Sequence, residues 1–196
     1  EAVKGASLAA ASLAGVELVL FGSKTAIEEV CHNEGIDISQ FEIVDTPDVI
    51  EMAEHPVKAL VSKPNSSIAQ GFLQLAHHKI DAFLSAGNTG AMLVGSIQYL
   101  KLVDGCDRPC LTAAIPRVNN HPGLLLDVGA NADCKPEQLN QFAILGNLYA
   151  KHILNIDAPT VGLLNVGEEE GKGNLLAQAT YPLLKENSHI EFIGNV

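Results

Sequence analysis

Two stretches of this chain are apolar at consecutive rather than alternate positions: Leu124-Leu125-Leu126, and Val161 to Leu164. A strand alternates its side chains between two faces, so one that is apolar throughout must be covered on both. Parallel strands with helices on each side meet that demand. A chain of 196 residues is long enough to build one such unit. The sequence therefore reads as α/β: a three-layer α/β/α sandwich around a mostly parallel sheet, with residues 1–196 as a single domain.

The rest of the chain alternates in the same way. Residues 2–14 predict a small-residue helix closed by Gly15, and Val16 to Phe21 a strand. A helix follows from Ser23 or Lys24 to Glu34, a strand from Phe41 to Val44, and a polar-capped helix from Asn65 or Ser66 to His78. Asp81 to Leu84 predicts a strand, Asn88 to Val103 a helix, and Leu111 to Ile115 and Leu124 to Asp127 two more strands. Pro136 to Leu154 reads as a long helix with proline in its first turn. The strand Thr160 to Asn165, a Gly-rich turn, a helix from about Asn174 and the strand Ile190 to Ile193 close the series. Pro182 lies inside the last helical pattern and is expected to kink or restart it.

Composition narrows the function classes. A net charge of −11 with only 12 Lys and Arg argues against nucleic-acid binding, which needs clustered cations to neutralise phosphates. The acid is uneven: residues 1–60 carry −8 and residues 61–196 only −3, so an anion site is expected in the second part. Cys31, Cys106, Cys110 and Cys134 form no CxxC pair and no zinc spacing, and read as buried thiols. No run reaches the ~18 apolar residues of a membrane span and no signal-peptide pattern opens the chain. The expectation is a soluble, cytoplasmic protein.

In an open parallel sheet, ligands bind outside the carboxyl ends of the strands, where loops lead into helix N-termini with free N–H groups. Four such turns couple glycine to asparagine. They are Ser85-Ala86-Gly87-Asn88-Thr89-Gly90, Asp127-Val128-Gly129-Ala130-Asn131, Asn165-Val166-Gly167-Glu168-Glu169, and Gly194-Asn195. Glycine lets backbone approach a ligand, and asparagine offers a donor and an acceptor without charge. The cations near such turns are Arg117, which follows a strand, Lys172 in the run Gly167 to Gly173, and Lys63 ahead of the Ser66 helix start. Arg108 precedes its strand and is expected at the opposite edge as an ion-pair or partner residue.

Several familiar sites fail on spacing. Gly167 to Gly173 is one residue short of a P-loop, lacks Ser or Thr after the lysine and carries three glutamates. No GxGxxG follows a strand, and neither GxSxG nor HExxH occurs, so neither a nicotinamide dinucleotide site, a serine-nucleophile elbow nor a metal is expected. Amides, glycines and a cation without an evident nucleophile suit a reaction in which the substrate anion attacks. Inorganic phosphate attacking an acyl carbonyl fits, with Lys172 and N–H donors stabilising the oxyanion.

The stretches Ser85 to Ala91, Leu126 to Cys134, Pro136 to Ala143, Val161 to Glu169 with Lys172-Gly173-Asn174, and Phe192 to Val196 resemble the bacterial phosphate acyltransferases of phospholipid synthesis, the PlsX family, over all 196 residues. The resemblance implies transfer of a fatty acyl chain from acyl carrier protein to inorganic phosphate, giving acyl phosphate. The implied fold is similar to that of phosphate acetyltransferases and isocitrate or isopropylmalate dehydrogenases. It further implies a homodimer without cofactor, and peripheral membrane contact through a C-terminal part. Family members open with a strand ending in Gly-Gly-Asp and continue past the Phe192 to Val196 motif, so the chain is expected to be an internal fragment.

Carried over by motif, Lys172, Asn165 and Glu168 are the expected catalytic residues, Glu168 positioning Lys172. Ser85, Gly87, Asn88, Thr89, Asn131, Arg117 and Lys63 are the expected substrate-binding set. Lys63-Pro64-Asn65 departs from the family's richer basic stretch at that point. Docking of the acidic carrier protein is expected on a basic rim near Lys101, Arg108 or Arg117. A phosphate acetyltransferase-like enzyme using acyl coenzyme A, an oxidoreductase of the isocitrate-dehydrogenase type and a non-catalytic fragment are the rival readings.

Overall fold

The computed structural model describes residues 1–118 and 122–196. The chain is α/β and divides into two compact units, Glu1–Lys101 and Leu102–Val196.

The first unit begins with α1 (Ala2–Ser12), which ends two residues sooner than its composition suggests because Leu13 turns extended. Gly15 then takes the left-handed φ of +77°. β1 (Leu18–Gly22) lies parallel to β2 (Phe41–Asp45), joined through α2 (Lys24–Glu34). α2 is capped by Ser23 and closed by left-handed Gly35, with the Asp45 carboxylate accepting from Lys24 N–H at 2.9 Å. Ile27, Cys31 and Phe41 form the buried centre here, packed by Val3, Ala6, Ala10 and Leu18.

Three helices follow: α3 (Pro56–Ser62), α4 (Ser67–Ala76) and α5 (Thr89–Gly95). α3 is absent from the sequence reading, although Pro56 at its first position is a start signal. They enclose a second core of Ile50, Ala59, Leu60, Ile68, Ala69, Phe72 and Ala91. Phe72 stands edge-on to Phe83 at 5.2 Å and stacks on Tyr99 at 6.3 Å. Phe83 belongs to the expected strand Asp81 to Leu84, which joins no ladder among the described residues. What fixes the segment is the aromatic packing. The helix expected from Asn88 to Val103 is shorter: α5 passes into a π turn at Ser96–Leu100 and stops at Lys101, whose φ is +70°.

In the second unit β3 (Thr112–Ile115) pairs with β4 (Gly123–Leu126) in antiparallel register, Ala113 opposite Leu125, so this pair departs from the parallel pattern. α6 (Pro136–His152) begins with Gln138 accepting from Lys135 N–H, and Gly146 admits the Leu126 side chain against it. β5 (Thr160–Leu163) and β6 (Glu191–Asn195) are parallel, with a register shift between Val161 and Leu163. α7 (Leu175–Lys185) connects them. α7 runs on through Pro182 to Lys185 without a restart, although the proline lacks the N–H that would reach the Gln178 carbonyl. Among the described residues, no helix is long and apolar enough to cross a membrane.

Candidate functional site

Asparagines at helix starts have two demands on them: a cap oxygen for the helix and a partner for every amide proton. Asn88 in the first unit, only 5% exposed, meets both within the protein. Its Oδ1 accepts from Ala91 N–H at 3.0 Å, and its Nδ2 donates to the carbonyls of Glu51, Met52 and Glu54 at 3.1 to 3.3 Å. Lys63 is drawn to the same loop. Its Nζ lies 2.7 Å from Glu54 Oε2 and 2.6 Å from the Val49 carbonyl. The hydrogen bond from Lys63, with a second from Glu51 N–H, holds the Glu54 carboxyl below its ordinary range. Ser85 Oγ accepts from Gly87 N–H at 3.0 Å, and Thr89 is the exposed first residue of α5. Gly90 is required by contact: a Cβ there would run into the Pro56 ring. The structure thus gathers Lys63 and Asn88 around the Glu51–Glu54 turn, with Ser85, Gly87 and Thr89 at the entry of α5.

In the second unit the Asp127 turn is built on one carboxylate. Oδ1 accepts from the N–H groups of Leu111, Gly129 and Ala130, and Oδ2 from Asn131 N–H at 2.7 Å and Asn131 Nδ2 at 2.9 Å. Burial alone pushes the Asp127 carboxyl up, but the bonds from Ala130, Leu111 and Asn131 outweigh it and leave it below the aspartate range. Asn131 also donates to the Pro109 carbonyl at 2.9 Å. Three thiols lie in this region, and only Cys31, in the other unit, is fully buried. Burial first, then the Asp127 charge, pushes the Cys110 thiol up to about 11. Arg108 and Arg117 are both exposed, with the Arg117 stem lying over Gly123.

The loop from Asn165 to Asn174, between β5 and α7, holds the remaining candidates. Asn165 Oδ1 accepts from Val166 N–H at 2.8 Å, while its Nδ2 donates to the Lys172 carbonyl at 3.0 Å and to Asn195 Oδ1 at 3.1 Å. Lys172 is half exposed, its stem folded across Gly167 and its Nζ 3.9 Å from Glu169 Oε2. The carboxylate paired with it is therefore that of Glu169; Glu168 is exposed. Gly173 has φ +91°, and a Cβ on it would run into Asn165. Beside this loop opens a cleft of about 480 Å³ lined by Leu164, Asn165, Val166, Gly173, Asn174 and Ala177. Asn174 caps α7 through Ala177 N–H at 2.9 Å, so the cleft lies at a helix N-terminus, where partial positive charge accumulates. The sequence reading did not include Glu169, Gln178 or Asn195 among the site residues. Only the Gly194-Asn195 pair carried a signal for the last.

The molecule is thus an α/β protein with a Gly- and Asn-rich loop that carries a lysine and borders a cleft at the end of a strand. The chain belongs to the fatty acid synthesis protein family, which it matches over residues 1–196. It is similar to proteins named phosphate acyltransferase. That of Dictyoglomus thermophilum is 45% identical over all of this chain and 58% of its own length. That of Thermoanaerobacterium thermosaccharolyticum is 46% identical over 92% of this chain and 53% of its own length. That of Herpetosiphon aurantiacus is 42% identical over all of this chain and 53% of its own length. The chain thus spans little more than half the length of the curated relatives it matches.

Proposed function

We propose that this chain takes part in acyl transfer to inorganic phosphate, with acyl carrier protein as donor and acyl phosphate as product. The observation that carries the reading is the β5–α7 loop, in which Lys172 directly precedes Gly173 and Asn174, two residues that line the cleft at the start of α7. A phosphate oxygen attacks the thioester carbonyl carbon, the C–S bond breaks, and the departing thiolate takes up a proton to give the free carrier thiol. Charge develops on the carbonyl oxygen in the tetrahedral intermediate, where an ammonium and helix-start N–H groups act most strongly. Lys172 is the catalytic residue in this reading, with the exposed Glu169 carboxylate 3.9 Å from its ammonium. The phosphate acyltransferase names of the relatives support the reaction class. The reading includes a homodimer working in the cytoplasm at the membrane surface, with the exposed Arg108 and Arg117 meeting the acidic carrier.

The test is release of carrier thiol from acyl-acyl carrier protein with and without phosphate, run beside acyl coenzyme A. Phosphate-dependent release from the carrier-bound substrate supports the reading. Release from the coenzyme A ester alone would favour the coenzyme A reading, and no release from either would contradict acyl transfer by this chain.

A further inference from the structure

Resting on the reading of Lys172 above, we propose that Asn195 is a positioning residue for Lys172, acting through the backbone of the β5–α7 loop. Asn195 is 6% exposed and lies at the end of β6. Its place is fixed by the strand ladder: it registers with Leu163, and the flanking Val196 N–H donates to the Leu163 carbonyl at 3.0 Å. Gly194, with φ +95°, and the register shift beside it redirect the strand at this point. Such irregularities commonly re-aim a side chain. The Asn195 amide is then engaged on both sides. Its Nδ2 donates to the Glu169 carbonyl at 2.8 Å, and its Oδ1 accepts from Asn165 Nδ2, which also donates to the Lys172 carbonyl.

Gln178 completes the set from the first turn of α7, donating to the carbonyls of Gly171 and Gly173 at 3.0 and 3.1 Å. Three side-chain amides therefore hold the carbonyls of Glu169, Gly171, Lys172 and Gly173. A loop with its carbonyls fixed inward has few conformations left. The Cα of Lys172 is held from a strand that makes no contact with substrate in this scheme. Asn195 is the rigid end of the relay, because it alone of the three amides is both buried and set in a β ladder.

The test uses Asn195→Asp, which keeps shape and the acceptor for Asn165 but removes the donor to Glu169, and Asn195→Ala as a second variant. Amide hydrogen exchange over residues 166–173 should rise about tenfold or more in both while that of α6 is unchanged. The ¹³C-methyl signal of reductively methylated Lys172 should shift with it. In the thioester assay kcat should fall by up to the order of 10²-fold, the scale of an ångström-sized misplacement, with the phosphate KM changing less. In a Lys172→Ala background the Asn195 changes should have no further effect on kcat. Unchanged loop exchange, or full additivity with Lys172→Ala, would overturn the proposal. If the parent chain cleaves no thioester with phosphate, the functional reading fails. The positioning role is then decided by the exchange and the Lys172 signal, which support it if both move and refute it if neither does.

Discussion

Asp127→Asn isolates a single carboxylate that holds five hydrogen bonds. An amide has one acceptor oxygen. Set at the Oδ1 position it keeps Leu111, Gly129 and Ala130, but turns an NH₂ toward the Asn131 N–H and Nδ2 donors; the opposite rotamer forsakes three donors instead of two. An unsatisfied donor costs about 1–3 kcal/mol, toward the low end where water can reach it, and the three retained bonds lose their charge assistance. The expected loss is about 2–4 kcal/mol, read as a lower urea midpoint at an unchanged slope. Acid supplies the control. The folded carboxyl titrates below the ordinary aspartate value, so its contribution is complete above about pH 4 and is lost as pH falls through the folded value. The gap between parent and variant should therefore close in acid. A loss under about 1 kcal/mol at pH 7, or a gap that stays constant down to pH 2, would refute the reasoning.

Two further outcomes follow from the same structure. Asn88→Ala removes a helix cap and leaves three carbonyls of the Glu51–Glu54 turn without their donor, so urea unfolding should show a loss of about 2–4 kcal/mol, and a change within ±0.5 kcal/mol would show that the turn stands without it. Cys110, with its thiol held near 11, should be alkylated at pH 8 on the order of 10²-fold more slowly than an ordinary thiol until urea unfolds the chain, and mass spectrometry of the labelled peptides would detect equal rates if the carboxylate and burial had no such effect.

The parts of the fold that could be read from sequence were those written in local chemistry. Ser23, Ser66, Asn88 and Asn174 each cap the helix that follows them, as their residue types at those positions require. The continuous apolar runs around Leu125 and Val161 do lie in strands. The antiparallel direction of β3 and β4 was not legible, because an apolar strand looks the same whichever way its partner runs. The Asp81 to Leu84 segment has strand composition, yet Phe83 is held by Phe72 and Phe21 rather than by a ladder. Around the candidate residues, the helix starts at Asn88 and Asn174 are legible in the sequence, but the partners of the side chains are not. The amides of Asn88, Asn131 and Asn165 face carbonyls 7 to 37 residues away in sequence, and Lys63 found Glu54, because buried amides and half-buried charges take the nearest partner that folding supplies. Which partner that is depends on tertiary placement.

The proposed chemistry rests on the ammonium of Lys172. The most direct measurement is kcat for phosphate-dependent release of carrier thiol by Lys172→Ala beside the parent chain, with hydrogen exchange to confirm an intact fold. A fall on the order of 10²-fold, the loss that accompanies removal of one oxyanion donor, is the expected result. Turnover close to that of the parent chain would contradict the role assigned to this residue and to the loop that carries it.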